Sequence, residues 1–216
     1  MASKWRLAGM EVPFISSDSV KWIEVSVSSS NNNNISSDNV APLTEDCASC
    51  SVLENPSQYL IWRIHKNLPT SLELLHVSSS HQFTILGLRI NFPFPLSPFA
   101  FICSSNNTNI HVLHVLTVSG IAFRLKFSSN FSVYESTPLF PNQDILEFNL
   151  VNYGIVPITR VAATAGCLVV GRNDGSVASF QLGILHPGSP GITVYSPILF
   201  LFFTCFSFSS CPFFGR

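Results

Sequence analysis

The sequence predicts an all-β fold assembled from repeated hairpins, and three observations carry that reading. The first lies in residues 166–182, where the apolar run 167–170 leads through Asn173-Asp174-Gly175 into 176–182, which alternates with period two. Asp-Gly between two such runs is a strong hairpin signal, because a tight primed turn needs a positive φ that glycine accepts without steric cost. The second is a weaker copy at residues 112–125, with Ser119-Gly120 at its turn. The third is that no segment holds a 3.6-residue apolar period over the roughly twelve residues that a helix assignment requires. The two turn glycines stand 55 residues apart. That exceeds the roughly 40–50 residues of a standard propeller blade, but it suits blades with elongated loops.

Along the chain, residues 20–27 alternate well enough for a strand, with Val20 and Trp22, and Ile15 before them, as its anchors. Residues 28–39 are rich in Ser and Asn and are expected to be a disordered loop. Residues 59–65, Tyr-Leu-Ile-Trp-Arg-Ile-His, are dense in β-formers and predict a central strand. Residues 71–77 fit helix or strand, because Leu72, Leu74 and Leu75 do not decide between the two periods. Phe83–Asn91 alternates as a strand, and three prolines in residues 91–98 end it. Short strands at 99–103, 110–117, 121–127, 144–150, 158–163, 167–170 and 176–182 complete the set. At that blade length residues 1–191 would make only about three to four blades of a partial β-propeller, where a closed ring takes about four to eight. Such a fragment leaves an open edge and an uncovered core, an aggregation hazard. Residues 192–216 form a separate hydrophobic tail.

Composition narrows the function classes. Charged residues make up 11% of the 216, against about 25% in typical soluble domains. With 19 Phe and a mean hydropathy of +0.35, the chain must bury most of its apolar groups or present them to partners. The net charge is −1, and basic residues form only isolated pairs such as Arg124 and Lys126. Direct nucleic-acid binding needs a basic footprint and is therefore not expected. The start of the chain lacks the apolar core of about 7–15 residues that a secretory signal requires. The expected compartment is cytosolic or nuclear, the sequons at Asn34, Asn106 and Asn130 are read as chance, and the six cysteines as reduced thiols.

The candidate sites are few. Cys47 and Cys50 have the spacing of half a zinc site, but a structural site takes four ligands, usually with a second close pair. Cys103, Cys167, Cys205 and Cys211 are single, and the close histidine pair His111 and His114 would point to opposite faces of a strand. An ordinary loop is expected at Cys47–Cys50, with no metal and no cofactor; redox use lacks a surrounding βαβ unit. Residues 171–175 have two glycines but neither the Lys nor the helix of a phosphate loop, so they read as a turn. Glu45, Asp46, Asp144 and Glu147 are scattered, no nucleophile motif occurs, and the chain is read as not an enzyme, without catalytic residues. Residues 92–99, with Phe92, Phe94 and Phe99 among prolines, could enter a partner groove or membrane interface. The favoured reading is a connection whose rings fold back on the sheets, since large apolar groups are mostly buried.

Several ordered segments carry a resemblance: APLTEDCASC (41–50), YLIWRIHKNLPTSLELLHV (59–77), LSPFAFIC (96–103), LTVSGIAF (116–123) and VAATAGCLVVGRNDGSVASFQLG (161–183). With AGMEVPFISSDSVKWIEVSV (8–27), they resemble the amino-terminal part of a plant nucleoporin family of the outer-ring, Y-shaped scaffold of the nuclear pore. The resemblance covers residue 8 to about residue 191. It implies an amino-terminal β-propeller leading into a long helical solenoid, present here in truncated form. It also implies a scaffold role at the pore in the nuclear envelope, other nucleoporins of the Y-shaped complex as partners, and support of mRNA export and protein transport. Two other classes stand beside it: a generic propeller adaptor that binds peptides through its loops, and a protein anchored in a membrane by its tail.

That tail changes abruptly to Phe, Ser, Leu and Cys over residues 195–216, which share uridine-rich codons. It is expected to be translated pyrimidine-rich intron. The rival is a tail anchor, for which residues 198–214 meet only the lower edge of the roughly 17–25 residues that span a bilayer. Ser207, Ser209, Ser210 and Pro212 interrupt it, and no basic cluster flanks it. Membrane contact is expected through this tail or not at all.

Overall fold

The computed structural model describes residues 20–29, 40–52, 58–78, 83–104, 109–150, 156–164, 167–181 and 191–195. Alternating β-rich runs pair with their sequence neighbours, and here they do so three times over. The first sheet contains β1 (Lys21–Ser26), β2 (Cys47–Val52), β3 (Gln58–Ile64), β4 (Ser71–Ser78) and β5 (Phe83–Asn91), in the spatial order β1-β5-β4-β3-β2. The second is the meander β6 (Leu96–Ser104), β7 (Ile110–Thr117), β8 (Ile121–Ser128) and β9 (Ile145–Asn149). The third is β10 (Ile158–Thr164), β11 (Cys167–Arg172), β12 (Val177–Gln181) and β13 (Gly191–Tyr195). Four antiparallel strands in sequence order are the unit of a propeller blade. The first sheet adds β1, paired parallel to β5. The three sheets do not close into a ring, as the partial propeller predicted.

The second sheet lies between the other two. In β7, Leu113 and Val115 join a core with Leu60, Trp62, Leu72 and Leu74 of the first sheet. On the opposite face of the same sheet, Leu116 and Ala122 join Leu168, Val170, Ala178 and Phe180 of the third. This accounts for β7 being buried at every position from His111 to Thr117: a strand with a neighbour on each face has no polar side to show.

Both predicted turns hold. Gly120 (φ 85°) joins β7 to β8, and Gly175 (φ 81°) joins β11 to β12. A strap from the amino-terminal region touches all three sheets. Beyond the β1–β5 pairing, the Ser26 amide donates to Pro138 O at 2.9 Å and the Phe140 amide donates to Ser26 O at 2.9 Å. Val40 then donates to Val118 O at 3.1 Å and bridges Ile158 in the third sheet.

The structure differs from the sequence reading at several points. In β1 the inward residues are Ile23 and Val25, continued by Val27, while Trp22 lies on the outer face. Residues 47–50 are not a loop but part of edge strand β2, paired antiparallel with β3. The undecided segment 71–77 is strand β4. Strand β6 starts at Leu96 and passes through Pro98, with the register slipping between Leu96 and Ala100, where a bulge accommodates the missing donor. A 3-10 turn, Asn142–Asp144, occupies the start of the strand expected from residue 144. Strand β13 extends the third sheet beyond residue 191. Apart from Ser28 and Ser29, the expected disordered loop lies outside the described residues, as do Ile15 and residues 196–216. No helix among the described residues is long and apolar enough to cross a membrane.

Candidate functional site

The densest chemistry lies on the outer face of the first sheet, where strand register builds a row of alternating charge. Glu24 pairs with Arg89, Arg89 with Glu73, and Glu73 with Arg63, one residue from each of β1, β5, β4 and β3. Opposite charges directly across neighbouring strands, here antiparallel except for β1 with β5, attract at close range. Glu73 is 3% exposed. It accepts hydrogen bonds from Arg89 Nε at 3.1 Å and Arg89 Nη2 at 2.8 Å, and from Arg63 Nε. Arg89 Nη1 donates to Glu24 at 2.6 Å. His65 links the row to the β2 side: its Nε2 stands 3.3 Å from Glu73 and its Nδ1 3.1 Å from Asp46, which also accepts the Lys66 amide at 2.8 Å.

Trp22 roofs this row. Its ring lies over Gly87, where an added Cβ would meet Trp22 Cζ3 at 2.4 Å, so any other residue at 87 would displace the indole. The Arg63 and Arg89 guanidiniums sit 5.5 and 5.1 Å from the ring centroid, within cation–π range. Burial pushes the Glu73 carboxyl up, but hydrogen bonds from Arg89 and Arg63 outweigh it and hold the group below its ordinary value. Asp46 is also held low, first by the Lys66 amide and then by His65. Both carboxylates are thus stabilised as anions. The arrangement is suited to fixing a surface rather than to transferring protons, which needs a group poised near the working pH.

The residues singled out from sequence fall elsewhere. Cys47 packs against the first core while Cys50, three residues along the same strand, is exposed. His111 and His114, both buried, face the first and second cores respectively, so neither pair converges. Burial raises the Cys103 thiol to about 11, far from a reactive thiolate. Asp46 enters the charged row, whereas Glu147 accepts Ser29 Oγ at 2.7 Å beside the second sheet. Asp46 and Glu147 therefore stay apart. Residues 171–175 form the hairpin turn, in which Asp174 Oδ1 accepts the Ser176 amide at 2.9 Å. Phe92 is buried and lies 5.5 Å from Phe123, Phe94 packs on the first core and Phe99 on the second. Glu73, the centre of the charged row, was missed; its signal is that Arg63, Glu73 and Arg89 share outward parity on successive strands.

Comparison with known proteins gives a consistent picture. Nuclear pore complex protein NUP160 of Arabidopsis thaliana is 41% identical over 199 residues, covering 85% of this chain. The chain spans 13% of that protein's length. A fold comparison with the WD40 domain of SCAP from fission yeast gives a TM-score of 0.42 at 9% identity, covering 70% of this chain and 31% of that one, too low to bear on the fold. Residues 58–198 match the family described as nucleoporin Nup120/160, β-propeller domain, a match that includes most of all three sheets. The chain therefore belongs to the Nup120/160 nucleoporin family and carries a stretch of its β-propeller.

Proposed function

We propose that this chain serves as a structural segment of the outer-ring scaffold of the nuclear pore, with other nucleoporins of the Y-shaped complex as its partners. Its place is then the nuclear envelope, and its role the support of nucleocytoplasmic transport, mRNA export included. The observation that carries this reading is the family match across residues 58–198, supported by three sheets that each contain a four-stranded antiparallel meander.

No catalytic, cofactor-binding or metal-binding residue is assigned. Cys47 and Cys50 diverge, His111 and His114 diverge, and the buried carboxylate Glu73 is already saturated by cations. Partners are proteins, met through side chains rather than a basic footprint, and direct nucleic-acid binding is not part of the reading. Residues 1–191 are our assignment for the propeller segment, and strand β13 and a family match that runs to residue 198 support extending it a few residues further.

The test is affinity capture of the tagged chain from cells, with imaging. Recovery of outer-ring nucleoporins and a fluorescent nuclear rim are expected. Recovery of signalling or ubiquitin-ligase components in their place would favour the generic adaptor. Resistance to carbonate extraction from membranes would favour the anchored protein.

A further inference from the structure

We propose that the seam between the first and second sheets is acid-labile, opening when the buried ring of His111 becomes protonated. His111 projects from β7 on the same face as Leu113 and Val115, into the first core. It is 3% exposed, and neither ring nitrogen has a hydrogen-bond partner among the described residues. Its ring leans on Phe127, with centroids 5.6 Å apart and planes at 47°. His76, half-buried on β4, stands opposite Leu60 of β3.

No carboxylate among the described residues shares this face. From β8 the groups on it are Phe123, Leu125 and Phe127, and from β6 Ala100 and Ile102. From β4 the sole titratable group is His76; Glu73 points to the opposite face and is held there by Arg63, Arg89 and His65. Among the described residues no counter-charge faces an imidazolium at His111, and charging it there is costly. Burial depresses both histidines, and His76 depresses His111 further.

The sign follows. The folded chain prefers both rings neutral, so the seam is intact above the ordinary histidine value and weakens as pH falls below it. A histidine that titrates at about 6.5 when exposed and stays neutral in the closed seam shifts the open-to-closed ratio roughly tenfold between pH 7.5 and 5.5. The paired carboxylates lose their contribution only in more acidic solution, because Glu73 and Asp46 are held below their ordinary values of 4.5 and 3.8. His65, on the outer face, and His114, in the second core, lie away from this seam.

The experiment is hydrogen exchange on the full 216-residue chain at pH 7.5 and 5.5, corrected for intrinsic rates, with NMR titration of the histidine rings. Amides of β4 and β7 are expected to open about tenfold more often at the lower pH, and His111→Leu to remove that increment. The His111 ring is expected to keep its neutral chemical shift down to pH 5.5. An unchanged pH dependence in His111→Leu overturns the proposal. If that variant does not fold, the wild-type titration decides alone: a folded-state midpoint at or above that of an exposed histidine overturns the proposal.

Discussion

The second sheet is gripped on both faces, yet its two seams are built differently. Towards the first sheet the seam is deep, with Leu60, Ile64, Leu72, Leu74, Leu88, Ile90, Phe123 and Phe127 all fully buried and Phe131, Tyr134 and Phe140 closing one side. Among the described residues the seam towards the third sheet is smaller, made of Val40, Leu116, Ala122, Leu150, Ile158, Leu168, Val170, Ala178 and Phe180, with a narrow gap among Phe99, Phe101, His114, Val161 and Leu168. Burial energy scales with apolar area removed from water. The first two sheets should therefore behave as one cooperative body, to which the third is more loosely attached. The cohesion between sheets in this chain is unevenly distributed.

The sharpest way to break the comparison is Phe123→Ala. This side chain is fully buried in the deep seam and touches Phe92. Truncating a buried Phe costs about 3–5 kcal/mol, and unfolding of all three sheets together in a urea titration is the expected result. Phe180→Ala removes the largest side chain of the smaller seam. A cost of about 3 kcal/mol is expected there, read as faster proteolysis or exchange of the third sheet while β3, β4 and β7 stay protected.

The outer face of the first sheet offers a polar counterpart. Glu73→Gln leaves Arg63 and Arg89 without their shared anion, and since both guanidiniums are partly solvated a loss of about 1–2 kcal/mol is expected at neutral pH. Because the Glu73 carboxyl is held below its ordinary value of 4.5, its contribution is intact above that pH and lost as acid protonates it. The variant should therefore approach wild-type stability in acid, and a constant difference from pH 7 to pH 3 would contradict this. The smallest effect is expected at Gly175→Val. The turn is open, with nothing within 4 Å of an added Cβ, so only the strain of φ 81° acts, at about 1 kcal/mol or more. Thermal denaturation would register it as a shift of a few degrees.

How much of this was legible in the sequence depends on how local each cause is. The turns at Gly120 and Gly175 were, because positive φ is a demand of the turn itself. Strands Phe83–Asn91 and Ile110–Thr117 were placed to the residue. The inward face of β1 was not: Val20 and Trp22 carry one parity, Ile23 and Val25 the other, and only Gly87 with two arginines explains why the tryptophan lies outside. Leu75 in β4 obscured its own strand for the same reason. It is 4% exposed although its row, Leu75–Gly87–Trp22, belongs to the outer face. Edge strand β2, Cys-Ala-Ser-Cys-Ser-Val, has too little apolar alternation to announce itself. The charged row needed register across four strands, which no local pattern contains.

Native-state hydrogen exchange in rising urea tests the unequal seams most directly, because it ranks openings sheet by sheet. The amides of β11 and β12 are expected to exchange through a subglobal opening at lower free energy than those of β3, β4, β7 and β8, which should merge into one global unfolding. Equal opening free energies for all three sheets, or a first sheet that opens before the third at neutral pH, would contradict it.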